Sequence, residues 1–295
     1  MGRLSWVSLM LLFFLGCLER RVGAASVRDR YFETSDGVRL HYCEAGQGPE
    51  TLVFVPGWLM PAAVFEPQVR GLSDRFRVVV FDPRSQGQSE VGKGAHTPER
   101  RSRDLHELLQ VTRPTRPILA GWSLGVMEVL DYLAKYKPEG VAGLVLIDNS
   151  IGEGRPPASS KSSKPSSLPP QSREDYLREF TQSLTAKPMS RGMFETIFTS
   201  AKQVPADIAR ELINKPFPRE YWRDTLLAQR VPILYVVRPR FEEQGRLLVG
   251  KRPGQASMEV FQGAGHALFL DEPRRFNALV ERFADWVWNS NAPAR

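Results

Sequence analysis

Uninterrupted apolar runs recur along the chain: TLVFV (51 to 55), RVVVF (77 to 81), PILAG (117 to 121), GLVLI (143 to 147) and PILYVV (232 to 237). A strand with one wet face alternates polar and apolar residues, so runs that are apolar throughout predict strands covered on both faces. Between them, PERRSRDLHELLQV (98 to 111) and VMEVLDYLAKY (126 to 136) repeat apolar residues at three- and four-residue spacing. That is the period of helices burying one face. Strand and helix in alternation predict a mostly parallel sheet flanked by crossover helices, whose ligands lie outside the carboxyl ends of the strands. An antiparallel pair precedes it, in YFETSDGVRLHYC (31 to 43), with Ser35-Asp36-Gly37 as the turn. A last β-like run, SMEVF (257 to 261), leads to a helix starting near Pro273.

The alternation breaks between Ile151 and Arg230. RPPASSKSSKPSSLPPQS (155 to 172) has almost nothing apolar to offset ordering entropy and reads as a flexible linker. SREDYLREFTQSL (172 to 184), MSRGMFETIFTSA (189 to 201) and PADIARELI (205 to 213) read as helices of a small cap inserted after the sixth strand. The expected organisation is core over 26–150, linker and cap over 151–230, and core again over 231–295.

Residues 1–25 form a unit of their own. Arg3 is followed by the apolar run LSWVSLMLLFFLGCL (4 to 18) and then by Gly23, Ala24 and Ala25. This is the layout of a signal peptide, too short and wrongly flanked for a spanning helix. Export to a periplasmic or extracellular space is the expectation. Cleavage after VGAA (22 to 25) is preferred to a lipoprotein signal ending at Gly16, which would leave Cys17 as a lipid anchor. Either route leaves Cys43 alone, so no disulfide is expected. The formal charge of +7 includes +2 from this segment, where Arg3, Arg20 and Arg21 face Glu19, and +5 remains. Only RRSR (100 to 103) clusters basic residues, without aromatic interleaving or zinc spacing, which argues against a nucleic-acid reader.

The chemistry centres on Gly121-Trp122-Ser123-Leu124-Gly125, directly after one predicted strand and before one predicted helix. A serine displayed on so sharp a turn is the nucleophile elbow, where bulk two residues to either side would keep strand and helix apart. Serine needs a base, usually a histidine oriented by a carboxylate. Of the four histidines, His41, His96 and His106 lie in a hairpin, a charged loop and a helix, whereas His266 follows the last β-like run across Gln262-Gly263-Ala264-Gly265. His266 is therefore the candidate base.

With VFVPGW (53 to 58), FDPRSQGQS (81 to 89), GWSLG and GAGHALFLDEP (263 to 273) in this order, nearly the whole chain after about residue 30 resembles the α/β-hydrolase family. The resemblance implies an eight-stranded sheet, no cofactor or metal, and a carboxylesterase acting through an acyl-enzyme on a small or medium apolar ester. Acyl transfer or perhydrolysis by the same acyl-enzyme, and ligand binding without catalysis, are the alternatives. The partner is a small-molecule ester and the chain is expected to be a monomer. It also implies an oxyanion hole from the backbone N–H groups of Leu124 and Trp58, although Pro56 stands where relatives carry histidine.

The acid departs from the usual pattern. Most relatives place an Asp after the strand corresponding to PILYVV, but here Arg238-Pro239-Arg240-Phe241 follows it. Asp148, at the end of the sixth strand, is preferred, with Glu242 or Glu243 as alternatives. Asp82 is assigned to holding Arg84 and its turn, and Asp271 and Glu272 to the start of the last helix. Trp58, Trp122, Phe65, Met193, Phe194 and Phe198 are candidate walls of an acyl pocket.

Overall fold

A computed structural model describes residues 26–156, 172–214 and 216–290. The signal segment with Cys17, and most of the Pro- and Ser-rich linker, lie outside the described residues.

Eight strands form one sheet in the order β1-β2-β4-β3-β5-β6-β7-β8. They are β1 (Arg28–Glu33), β2 (Arg39–Ala45), β3 (Thr51–Val55), β4 (Arg77–Asp82), β5 (Ile118–Trp122), β6 (Gly143–Ile147), β7 (Ile233–Val237) and β8 (Ala256–Val260). β2 runs antiparallel to both β1 and β4, and every other pairing is parallel. Every residue of β3, β5, β6 and β7 is buried, as their unbroken apolar runs require. The helices are α1 (Glu66–Leu72), α2 (Pro98–Thr112), α3 (Leu124–Tyr136), α4 (Arg173–Gln182), α5 (Arg191–Gln203), α6 (Ala206–Leu212), α7 (Arg219–Ala228), α8 (Glu242–Lys251), α9 (Leu268–Asp271) and α10 (Pro273–Ser290). This is the α/β-hydrolase architecture, with α4 to α7 between the sixth and seventh strands.

Two elements differ from expectation. α3 begins at Leu124 rather than near Val126, because the turn at Ser123 (φ 54°, ψ −118°) feeds directly into the helix. α7 was not read from the pattern; it packs back on the core, where the Tyr221 hydroxyl donates to Asp131 at 2.7 Å.

The loop after β4 also departs from its reading. Asp82 does not hold Arg84. Its carboxylate accepts from the backbone N–H groups of Ala62 and of Gln88 (2.9 Å) and lies 2.6 Å from His41 Nδ1. Burial opposes charge on His41, but Asp82 and Asp29 outweigh it and hold the imidazole above its ordinary range. Arg84, fully buried, turns the other way to both carboxylate oxygens of Asp104 (2.5 and 2.7 Å) and to Asp36. A buried guanidinium needs a planar two-point partner, which Asp104 on α2 supplies and the already occupied Asp82 does not.

The cap is fastened to the core by polar contacts at both ends. The Trp58 indole donates to the carbonyl of Ala209 on α6 at 2.7 Å. Glu211 on α6 accepts from the His96 backbone N–H at 3.1 Å, while His96 Nε2 lies 2.7 Å from Ser85 Oγ. On the other side, Ala267 N–H donates to Leu184 O at 2.7 Å and Asp271 accepts from the N–H groups of Ala186 and Lys187, both at 2.9 Å.

Breaking the buried Arg84 pair with Arg84→Met leaves Asp104 with Arg100 alone and is expected to cost about 3 kcal/mol in urea unfolding; a loss below about 1 kcal/mol would refute its role as the anchor of this loop. Burial holds the His96 imidazole below its ordinary range, against the opposing pull of Glu211 and with help from Arg84 and Arg101. Folding therefore favours neutral His96, and its contribution is complete above about pH 6.5 and lost as the pH falls through its lowered value. The wild-type urea midpoint is expected to fall more steeply between about pH 7 and about pH 5 than that of His96→Gln, and equal slopes would contradict this.

Candidate active site

The carboxyl ends of β3, β5, β6, β7 and β8 converge on Ser123. Gly125 lies so close to the third strand that a Cβ on it would collide with the carbonyl oxygens of Val55 and Pro56. Gly121 packs against the Gly125 backbone in the same way. These two absences of side chain let the elbow fold and leave Ser123 half-buried at the base of a cavity. A non-glycine residue at positive φ costs of order 1–3 kcal/mol, offset here by surrounding contacts. One of these is the Asn149 side-chain amide, which donates to Ser123 O at 2.6 Å while the Asn149 backbone carbonyl accepts from Tyr235 OH at 2.7 Å.

The structure brings Ser123, His266 and Asp148 together. His266 Nε2 lies 2.8 Å from Ser123 Oγ, and His266 Nδ1 lies 2.6 Å from Asp148 Oδ2. Both are hydrogen-bond distances, and an Nδ1–H donated to the carboxylate leaves Nε2 as acceptor for the serine hydroxyl. The Asp148 side chain is fully buried and His266 retains 26% of its side-chain exposure. The imidazole is held from behind, where the Trp122 indole donates to His266 O at 2.9 Å. Its loop is tied down by Asp271, which accepts from Gly265 N–H at 2.7 Å, a tertiary task beyond the helix start assigned to it.

Glu242 and Glu243 are not brought to His266. They open α8, where Glu242 pairs with Arg246 one turn on. The end of β7 instead contributes Arg238, whose backbone N–H donates to Asp148 Oδ1 at 2.9 Å and whose Nε donates to Asp148 Oδ2 at 2.6 Å. Arg238 was not singled out in the sequence, although it directly follows the strand where relatives carry the acid.

Among the described residues the backbone N–H groups of Trp58 and Leu124 donate to no protein acceptor, and both residues line the cavity. Where Pro56 replaces histidine, the loop after β3 is held by the Gln86 side chain, which accepts from Leu59 N–H, and by Asp82 on Ala62 N–H. Leu59 itself sits at φ 62°.

The cavity measures about 340 Å³. Trp58, Met60, Trp122, Phe180, Leu184 and Ile213 supply its apolar walls, and among the described residues His266 is its one ionisable lining residue. Of the aromatics expected there, Trp58 and Trp122 take part. Phe65 is instead fully buried, stacked on Phe269 at 4.5 Å between ring centres. Met193, Phe194 and Phe198 lie on α5, away from the lining, because the cap presents α4 and the end of α6 to the cavity. Phe180, Leu184 and Ile213 were missed, since helical periodicity marks an inward face without saying what it covers. Among the described residues, no group of three or more His, Cys, Asp or Glu is placed to hold a metal ion.

The sequence model of the alpha/beta hydrolase family matches residues 52–279. The pimeloyl-[acyl-carrier protein] methyl ester esterase of Vibrio atlanticus is 26% identical over 268 residues, covering 83% of this chain and 98% of that protein. Among solved structures, the esterase RhEst1 from Rhodococcus sp. ECU1013 superposes with a TM-score of 0.73 at 21% identity, covering 88% of this chain and 99% of that one. The esterase EaEST from Exiguobacterium antarcticum gives 0.70 at 21% identity, over 87% and 99%. With the family model spanning most of its length and the same sheet beneath it, the chain belongs to the alpha/beta hydrolase family.

Proposed function

We propose that the protein is a serine esterase that cleaves esters of small or medium apolar acyl groups through an acyl-enzyme. The observation that carries this reading is the continuous path from Ser123 Oγ through His266 to Asp148, with separations of 2.8 and 2.6 Å, opening on an apolar cavity. Ser123 Oγ attacks the ester carbonyl carbon while its proton passes to His266 Nε2. The carbonyl oxygen gains the negative charge and is met by the N–H groups of Leu124 and Trp58, each such donor contributing about a hundredfold or more to kcat. Collapse breaks the bond to the alkoxy oxygen, which leaves as alcohol with the proton from Nε2. Water then attacks the acyl-enzyme by the same route in reverse, returning the proton to Ser123. Asp148, acceptor-only when ionised, fixes the tautomer and offsets the imidazolium charge.

Substrate class follows from the walls. A cavity of about 340 Å³ lies near the lower end of the small-molecule range. Among the described residues it has no lysine, arginine, aspartate or glutamate in its lining, so a charged acyl group would be desolvated without a partner there. The Vibrio relative's methyl ester points to a small alcohol portion. Partial exposure of His266 lets water reach the base, which favours hydrolysis over transfer.

A fluorophosphonate probe is expected to label the wild type at Ser123 and to leave Ser123→Ala unlabelled, with His266→Ala and Asp148→Asn slowed by about 10²–10⁴-fold. On aryl esters of increasing acyl length, kcat/KM is expected to fall beyond about eight carbons as the cavity fills. A wild type that takes no label while binding apolar esters would instead identify a binding protein on a hydrolase scaffold.

A further inference from the structure

The displaced acid raises the question of what the end of β7 does in its place. Arg238 makes a two-point clasp on Asp148, with its backbone N–H on Oδ1 and its Nε on Oδ2. Oδ2 therefore receives two donors at 2.6 Å each, one from Arg238 and one from the imidazole. The remaining arm of the guanidinium brings Nη2 to 3.3 Å from His266 Nδ1. With the Nδ1 proton directed at Asp148, this contact sets donor against donor and makes no hydrogen bond. It places a permanent positive charge beside a ring that must become positive during the reaction.

Resting on the serine-esterase reading, we propose that Arg238 is a positioning residue with two effects on the base. It fixes the orientation of Asp148, and its charge opposes the positive charge that the His266 ring takes up during the reaction. The price is a weaker counter-charge for the imidazolium, because the carboxylate is shared. Asp148 itself sits at φ 45°, in the left-handed region, with its carboxylate held between Arg238 and His266. The charged groups on the elements around the imidazole are Asp148 after β6, Arg238 after β7, and Asp271 with Lys187 where the next turn meets the cap. The Asp271 carboxylate is taken up by the N–H groups of Gly265, Ala186 and Lys187. Among the described residues, Arg238 is thus a cation in contact with the ring whose charge a substitution can remove without touching the cavity, since it does not line the cavity.

The test is the pH dependence of kcat/KM on an uncharged aryl ester for the wild type, Arg238→Gln and Arg238→Lys. Glutamine keeps a donor for Asp148 without charge, whereas lysine keeps the charge without the fork. The acid limb of Arg238→Gln is expected to move upward by about one pH unit, a tenfold loss of activity on that limb relative to the plateau. Arg238→Lys is expected to stay close to the wild type, and KM is expected to change by less than about twofold in both. Superimposed limbs for wild type and Arg238→Gln, or equal displacement in the glutamine and lysine variants, would overturn the proposal and leave Arg238 a structural clasp. Should the glutamine variant fail to fold, Arg238→Met repeats the neutral arm. Failure of the underlying reading shows separately, as a wild type that fluorophosphonate does not label at any pH, and would remove both.

Discussion

The site rests on a close approach of two backbones. Gly125, at the start of α3, rests against the carbonyl oxygens of Val55 and Pro56 at the end of β3, in the place where any other residue would carry Cβ. That contact sets the distance from Ser123 to the loop bearing Trp58, and so decides whether two N–H groups can face one oxygen. It also forces Ser123 to positive φ, which presents the hydroxyl rather than folding it into the helix. Everything else around the elbow serves to keep this strained turn in place, including the Asn149 bond to Ser123 O and the Tyr235 bond to Asn149.

A second layer of polar contacts holds the loops that the sheet alone leaves free. Asp82, Ser85, Arg84 and Gln86 lie at and just after the end of one strand, yet they point to three neighbours: Asp82 and Gln86 to the loop after β3, Arg84 to helix α2, and Ser85 to His96 under the cap. These groups are buried, so the hydrogen bonds they make hold the loops in one arrangement, although Gln86 Nε2 has no partner among the described residues. Rigid loops follow from that accounting. The cap then closes over them through Trp58 and Glu211 on one side and Leu184 and Asp271 on the other, which determines that Phe180, Leu184 and Ile213 form the roof of the cavity.

Charge around the base is balanced rather than simply paired. In a triad with an unshared carboxylate, the acid serves the imidazole alone. Here Asp148 also serves Arg238, and the imidazole meets both signs of charge within one hydrogen-bond shell. With the carboxylate beside His266 coming from the end of β6, the end of β7 carries an arginine that donates to both of its oxygens.

The alternation of buried strands and amphipathic helices was legible from the sequence, because a strand covered on both faces has no choice but to be apolar throughout. So were Ser123 and His266 as residues at strand exits, since an elbow demands glycines and a loop histidine after the last strand has few other reasons to be flanked by them. The cap could be recognised as helical, but not oriented, and four of the aromatic and methionine walls expected in the cavity, Phe65, Met193, Phe194 and Phe198, proved to lie elsewhere. The acid was open among Asp148, Glu242 and Glu243, and Arg238 was passed over. Local pattern reports which residues must be buried and where the chain must turn. Which buried groups meet depends on how strands far apart in sequence come side by side, and only the tertiary structure decided that Asp148, Arg238 and His266 share one carboxylate.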